Sequence, residues 1–149
     1  MKIQTKYLQE VHIEKSKIIH FRSGLPGFLE ETEFIVLDLP GNPIFQALQS
    51  IKTEDLAFIV TNPYHFYTDY EFKLEDQIIE SLEIESEQDV AVLTIVTLKS
   101  PFELSTINLK APIIINSIRQ QGKQYILNTA DYPTKASITS SNSSETKGD

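Results

Sequence analysis

Val90-Ala91-Val92-Leu93-Thr94-Ile95-Val96 is the stretch that decides the fold. Nearly all of it is apolar, which predicts a strand covered on both faces. Just before it, Ser86-Glu87-Gln88-Asp89 has the outline of a capping box opening one short helical turn. Further upstream, Leu74, Ile78 and Leu82 recur every four residues with Ile79 beside them. That stripe predicts a helix, with Glu75, Asp76, Glu80 and Glu83 on its other faces. Glu75 and Asp76 fall in its first turn, where the helix dipole favours anions.

Outward from this centre the chain reads as short strands. Ile113-Ile114-Ile115 and Tyr125-Ile126-Leu127 follow the central run. Leu56 to Thr61, Ile44 to Ile51 and Phe34-Ile35-Val36-Leu37 precede it, the last stopped by Pro40-Gly41-Asn42-Pro43. Ile18-Ile19-His20-Phe21, the pair Val11 and Ile13, and the alternating Ile3, Thr5 and Tyr7 complete the set. Many short strands with Gly and Pro turns predict a mostly β fold. It is a small antiparallel or mixed β-barrel-like (pseudobarrel) domain with one or two short helices, one of which covers an opening or an edge. The domain is expected over residues 1–132, with a disordered tail over 133–149. The last sixteen residues hold eight Ser or Thr and no aromatic. Such a segment cannot bury enough apolar surface to offset its ordering entropy.

Composition excludes much chemistry. The 149 residues include no cysteine, so disulfides, thiolate metal sites and cysteine nucleophiles are absent. The amino terminus lacks the apolar core of a signal peptide, and no apolar run reaches membrane-span length. A cytoplasmic protein without membrane contact is expected. His12, His20 and His65 are scattered, none with a second histidine at metal-ligand spacing, so no metal is expected. His20, inside an apolar strand, reads as a satisfied core histidine. No nucleophile elbow, phosphate-binding loop or dinucleotide fingerprint is present, so no cofactor is expected. Gly24-Leu25-Pro26-Gly27 has the outline of an RNA-clamping loop, but only Arg22 lies near it. A type II turn is the better reading, with Pro26 fixing φ and Gly27 tolerating a positive φ. Asp69 and Glu71 as paired catalytic carboxylates are outweighed by a solvated acidic face.

Charge is the other informative feature. Nine acids and one base, Lys73, lie between Asp69 and Asp89, a balance of minus eight. The remaining twelve acids and twelve bases cancel, so the block carries the whole net charge of −8. Such asymmetry speaks about partners: a basic protein, and not nucleic acid directly. Immediately before the acids runs an aromatic series, Tyr64, Phe66, Tyr67, Tyr70 and Phe72. In strand alternation Tyr64, Phe66, Tyr70 and Phe72 share one face, as interface anchors or as core.

Several segments together are more specific than any generic motif. Met1 to Tyr7 leads to Ile18-Ile19-His20-Phe21-Arg22-Ser23-Gly24-Leu25-Pro26-Gly27-Phe28. Leu48-Gln49-Ser50, Leu56 to Tyr64, Asp69-Tyr70-Glu71-Phe72 and Val90 to Leu93 follow. Asn108-Leu109-Lys110-Ala111-Pro112-Ile113-Ile114-Ile115-Asn116 closes the series. In order and spacing this resembles the flagellar assembly factor FliW family, over about Met1 to Asp131. Two positions depart from the family pattern: Ala47 stands where an aromatic is common, and Asn62 where Asp is common. The resemblance implies a cytoplasmic, non-catalytic, monomeric protein with two competing partners, flagellin and the RNA-binding repressor CsrA. Joined to the charge pattern, it assigns Asp69, Glu71, Glu75 and Asp76 to CsrA, and Tyr64, Phe66, Tyr70 and Phe72 to flagellin. Two other classes compete with it: a small barrel that binds an apolar ligand in its mouth, and a carboxylate-dependent hydrolase.

Overall fold

The computed structural model describes residues 1–128 and 131–139. Its strands are β1 (Lys2–Thr5), β2 (Gln9–His12), β3 (Ile19–His20), β4 (Glu33–Leu39), β5 (Asn42–Ser50) and β6 (Ala57–Thr61). Among the described residues one α-helix, α1 (Asp76–Ser81), precedes β7 (Val90–Thr97), β8 (Thr106–Ile107), β9 (Ile113–Asn116), β10 (Gln121–Gln124) and β11 (Ala136–Ser137). The fold is mostly β, as the apolar alternation predicts.

β1 and β2 form a separate antiparallel hairpin. The other nine strands make one sheet in the order β11-β8-β7-β6-β5-β4-β3-β10-β9. β7 also pairs with β9, so seven strands close into a ring. Every pairing is antiparallel except the short contact of β3 with β10. The decisive stretch is thus the closure strand. Its register pairs Val90 with Asn116 and Leu93 with Ile113 on one edge, and Val60 with Ile95 on the other.

Strand parity divides the apolar residues into packed layers. Phe21, Phe34, Leu48, Val60, Leu93, Ile113 and their neighbours form one cluster inside the ring. Residues of opposite parity, such as Phe45, Ile59, Val96 and Ile114, face outward and are covered by Tyr70, Ile78 and Leu82. The hairpin seals a third cluster of Ile3, Ile13, Ile18 and Ile35. Full burial of side chains such as Ile113 and Ile114 contributes about 1.5–3 kcal/mol each. β7 is covered on both faces over Leu93 to Val96, while Ala91 is exposed.

Gly24 to Gly27 makes the expected tight turn. The Phe28 amide donates to the Leu25 carbonyl at 2.7 Å, and Gly27 takes φ +86, which a type II turn requires. Gly24, at φ +67, lies against the Leu29 backbone, where a Cβ would come within 2.5 Å. The turn buries Leu25 and sets Phe28 edge-on to Phe58 at 5.7 Å.

Several expectations need correction. His20 is exposed, because Ile19 and Phe21 take the inward parity on either side of it. Tyr125 to Leu127 is not a ladder strand. The Tyr125 and Leu127 amides do donate to Pro112 and Lys110, but Pro112 has no N–H to return. The strand of that region is β10, four residues earlier. The helix is shorter than its stripe, since Glu75 is an extended N-cap and Leu82 the C-cap. The tail expected from residue 133 begins with ordered chain: β11 pairs with β8, and Ala136 and Ile138 are buried. The rest of that tail, residues 140–149, lies outside the described residues. Among the described residues no helix is long and apolar enough to cross a membrane.

Candidate functional site

The segment between β6 and β7 crosses the outer face of the ring and leaves a groove of about 1040 Å³. Ile44 of β5 and Val90 and Val92 of β7 lie along it. Tyr64, Phe72 and Ile79 come from the crossing segment, and Glu71, Asp76 and Glu87 add carboxylates. Lys73 and His65 also face it.

Local chemistry builds this wall. The Asn62 carboxamide oxygen accepts the Tyr64 amide at 2.9 Å and opens a 3-10 turn, Pro63–His65, with proline at its first position. Asn62 therefore does the capping that an aspartate would do. The chain then turns inward at Tyr70, which is only 3% exposed, and its hydroxyl donates to the Leu109 carbonyl at 2.6 Å. Three rings surround it, with centroids 5.7 Å (Tyr64), 5.4 Å (Phe72) and 4.7 Å (Tyr132) away. The Tyr132 hydroxyl accepts the Glu71 amide at 3.1 Å and donates to the Glu71 carbonyl at 3.0 Å. The Tyr67 hydroxyl donates to the Ser137 carbonyl, tying the segment to β11. At the far end the Asn116 carboxamide donates to the Leu82 and Glu83 carbonyls at 2.8 and 3.1 Å.

The acids are exposed except Asp89, which is half-buried. Glu83 meets both arginines of the chain, Arg119 at 3.5 Å and Arg22 at 3.9 Å, and Glu85 meets Arg119 at 3.7 Å. Among the described residues the other seven acids of the block form no ion pair. Burial, then the neighbouring Tyr132 and Glu71, push the Tyr64 hydroxyl above its usual range. Burial chiefly, with a hydrogen bond to Glu75, does the same to Tyr125. Burial also holds Tyr70 far above the usual phenol range.

Of the residues singled out from sequence, Glu71, Asp76, Tyr64 and Phe72 meet in the groove. Asp69 is exposed on the turn before Tyr70, outside it. Glu75 turns toward Tyr125. Phe66 stacks on Phe45 at 6.2 Å, and Phe102 also meets Phe45, edge-on at 5.8 Å. Tyr70 is core, so it supports the surface from beneath and offers none itself. The single aromatic face fails because residues 63–75 are a 3-10 turn and irregular chain, not a strand. Glu87, Val90 and Val92 were not singled out for the site; the position of Glu87 within the acidic block was the available signal. Leu98, Phe102 and Leu104, exposed in the loop after β7, carried no signal in the sequence.

The two competing classes find little support in this geometry. A second cavity of about 510 Å³ reaches Ile19, Val36, Leu93 and Ile115, but polar His12, Glu14 and Gln46 also line it. The remaining ring interior is filled by side chains such as Phe21, Leu25 and Phe34, all but fully buried. Asp69 and Glu71 are open to water, unlike an enclosed acid–base pair. Glu31 is held below its usual range by hydrogen bonds, the wrong direction for a general acid. Among the described residues no group of three His, Asp or Glu is placed to hold a metal ion.

Comparison with known proteins gives a consistent result. The family model described as FliW protein matches residues 2–138. The flagellar assembly factor FliW of Oceanobacillus iheyensis is 54% identical over 140 residues, covering 94% of this chain and 95% of that protein. The same factor from Bacillus subtilis is 48% identical over 138 residues, covering 93% and 96%. A crystal structure of a flagellar assembly factor FliW superposes with a TM-score of 0.89 at 42% identity, covering 93% of this chain and 96% of that one.

Proposed function

The chain belongs to the FliW family of flagellar assembly factors, and on that footing we propose that it works as a cytoplasmic monomer switching between two proteins, flagellin and CsrA. Bound to flagellin that has not been exported, it leaves CsrA free to repress the flagellin message. Released by export, it binds CsrA and lifts the repression. The family is one of assembly factors and not of enzymes, and the reading calls for no catalytic step.

One observation carries it. The same groove holds carboxylates suited to a cationic regulator, Glu71 and Asp76, and aromatics suited to an apolar client, Tyr64 and Phe72. An RNA-binding repressor must present basic surface to phosphates, and an acidic groove attracts that surface. A secretion client offers apolar groups that are later buried in its filament, and exposed aromatics anchor such groups. Partners sharing one groove exclude each other, which is what a switch requires.

The test is competition. Purified flagellin added to the protein–CsrA complex is expected to release CsrA without forming a three-component complex on a sizing column. Glu71→Lys with Asp76→Lys is expected to weaken CsrA binding at least tenfold at low salt while the fold is kept. A stable complex of all three proteins, or undiminished CsrA binding by the double variant, would refute the shared groove.

A further inference from the structure

Resting on the reading of the groove as the partner site, we propose that the corner formed by Tyr64, Phe72 and Glu71 receives the guanidinium group of one arginine of a protein partner. Three features favour a planar cation there. First, Tyr64 is 38% exposed and Phe72 half-buried, and both line the groove while Tyr70 packs against both rings. A guanidinium stacks on such surface more readily than an ammonium, because it is flat and less strongly hydrated. Second, the Glu71 carboxylate is exposed and has no ion-pair partner among the described residues. A free carboxylate matches the fork of an arginine with two parallel hydrogen bonds.

Third, the corner is held before any ligand arrives. The Glu71 main chain is clamped on both its amide and its carbonyl by the Tyr132 hydroxyl. The Tyr64 amide is fixed by Asn62, and Tyr70 is pinned by Leu109. Preorganised groups lose little freedom on binding. The surroundings are anionic on balance: Glu71, Asp76 and Glu87 line the groove together with Lys73 and His65. The Tyr64 phenol is protonated at neutral pH as any phenol is, and burial, then Tyr132 and Glu71, push it further in that direction.

The probe is the tripeptide acetyl-Gly-Arg-Gly-amide, titrated into the isotope-labelled full chain and followed by NMR. Saturable shifts are expected at the Tyr64 and Phe72 rings and the Glu71 amide. The citrulline tripeptide, equal in shape and uncharged, is expected to leave them in place. The lysine tripeptide should bind about five- to tenfold more weakly. Tyr64→Leu removes the ring and Glu71→Gln the charge, and each should lower arginine affinity about tenfold. Glu71→Gln changes an exposed side chain, so it tests the site even if Tyr64→Leu unfolds. Equal response to arginine and citrulline, equal affinity for lysine, or shifts confined to other surfaces would overturn the proposal. So would variants that lose the tripeptide yet hold flagellin and CsrA at full affinity. Arginine binding at this corner in a protein that ignores both would support the site and remove only the partners named above.

Discussion

At the scale of single residues, the most recognisable sequence blocks prove to be hydrogen-bond hubs. Asn116 ends the Ala-Pro-Ile-Ile-Ile-Asn block and is 1% exposed. Its carboxamide donates to Leu82 and Glu83 and accepts from Ile118 and Arg119 at 3.0 and 3.2 Å. It fastens the end of α1 to the ring. Asn116→Ala leaves two carbonyls and two amides short of a partner and should cost about 2–4 kcal/mol, read as a lower urea midpoint at unchanged slope. Gln49 and Ser50 act likewise. The buried Gln49 oxygen accepts the Lys6 amide at 2.9 Å, while Ser50 and Thr53 donate to Glu31 at 2.7 and 2.6 Å. Those bonds hold the Glu31 carboxyl below its usual range. Their stabilisation is therefore full above the ordinary carboxyl pKa and lost as pH falls through the lowered one. Glu31→Gln should lower the urea midpoint at neutral pH, and the gap from the unsubstituted chain should close as pH falls through the lowered Glu31 pKa. Polarity made these residues legible as a motif but not as buried, because alternation assigns polar strand residues to water. His20 shows the opposite error: apolar neighbours suggested core, and strand parity turned it outward.

At the scale of elements, type was more legible than extent. Leu74, Ile78 and Leu82 mark the correct helix face, yet α1 holds only six residues. The same three side chains meet the sheet whether the flanking turn is helical or extended, so the stripe cannot set the ends. Glu83, at φ +56, stops the helix, which no apolar pattern announces. β10 was missed because Gln121-Gly122-Lys123-Gln124 has no apolar residue. Its Gly122 lies where a Cβ would come 2.7 Å from the buried Phe21 ring, so the ring interior dictates that position. β11 was missed because a Ser/Thr-rich tail concealed Ala136 and Ile138, two side chains that complete the outer cluster. A chain ending at Lys135 loses both apolar groups and the strand pairing, which should cost about 2–4 kcal/mol relative to one ending at Thr139.

At the scale of the molecule, ring closure was not legible, because it also needs His20 of β3 to meet Gln121 of β10, far along the chain, and nothing local encodes that pairing. The acidic block was legible as charge, and the fold refines what it can do. Arg22 and Arg119 compensate Glu83 and Glu85, so the uncompensated field lies nearer the groove. With screening over about 8 Å at physiological salt, that local field governs encounter. Charge and aromatics should then separate kinetically. Glu71→Lys with Asp76→Lys should slow association with a basic partner at least tenfold in dilute buffer, with the difference shrinking as salt rises. Tyr64→Ala removes short-range contact and leaves the field intact, so it should speed dissociation and leave association nearly unchanged. Stopped-flow traces over a salt series read both constants. Were the tyrosine variant instead to slow association, or the double variant to act only on dissociation, steering and anchoring would not be the separate tasks that the groove's two kinds of residue imply.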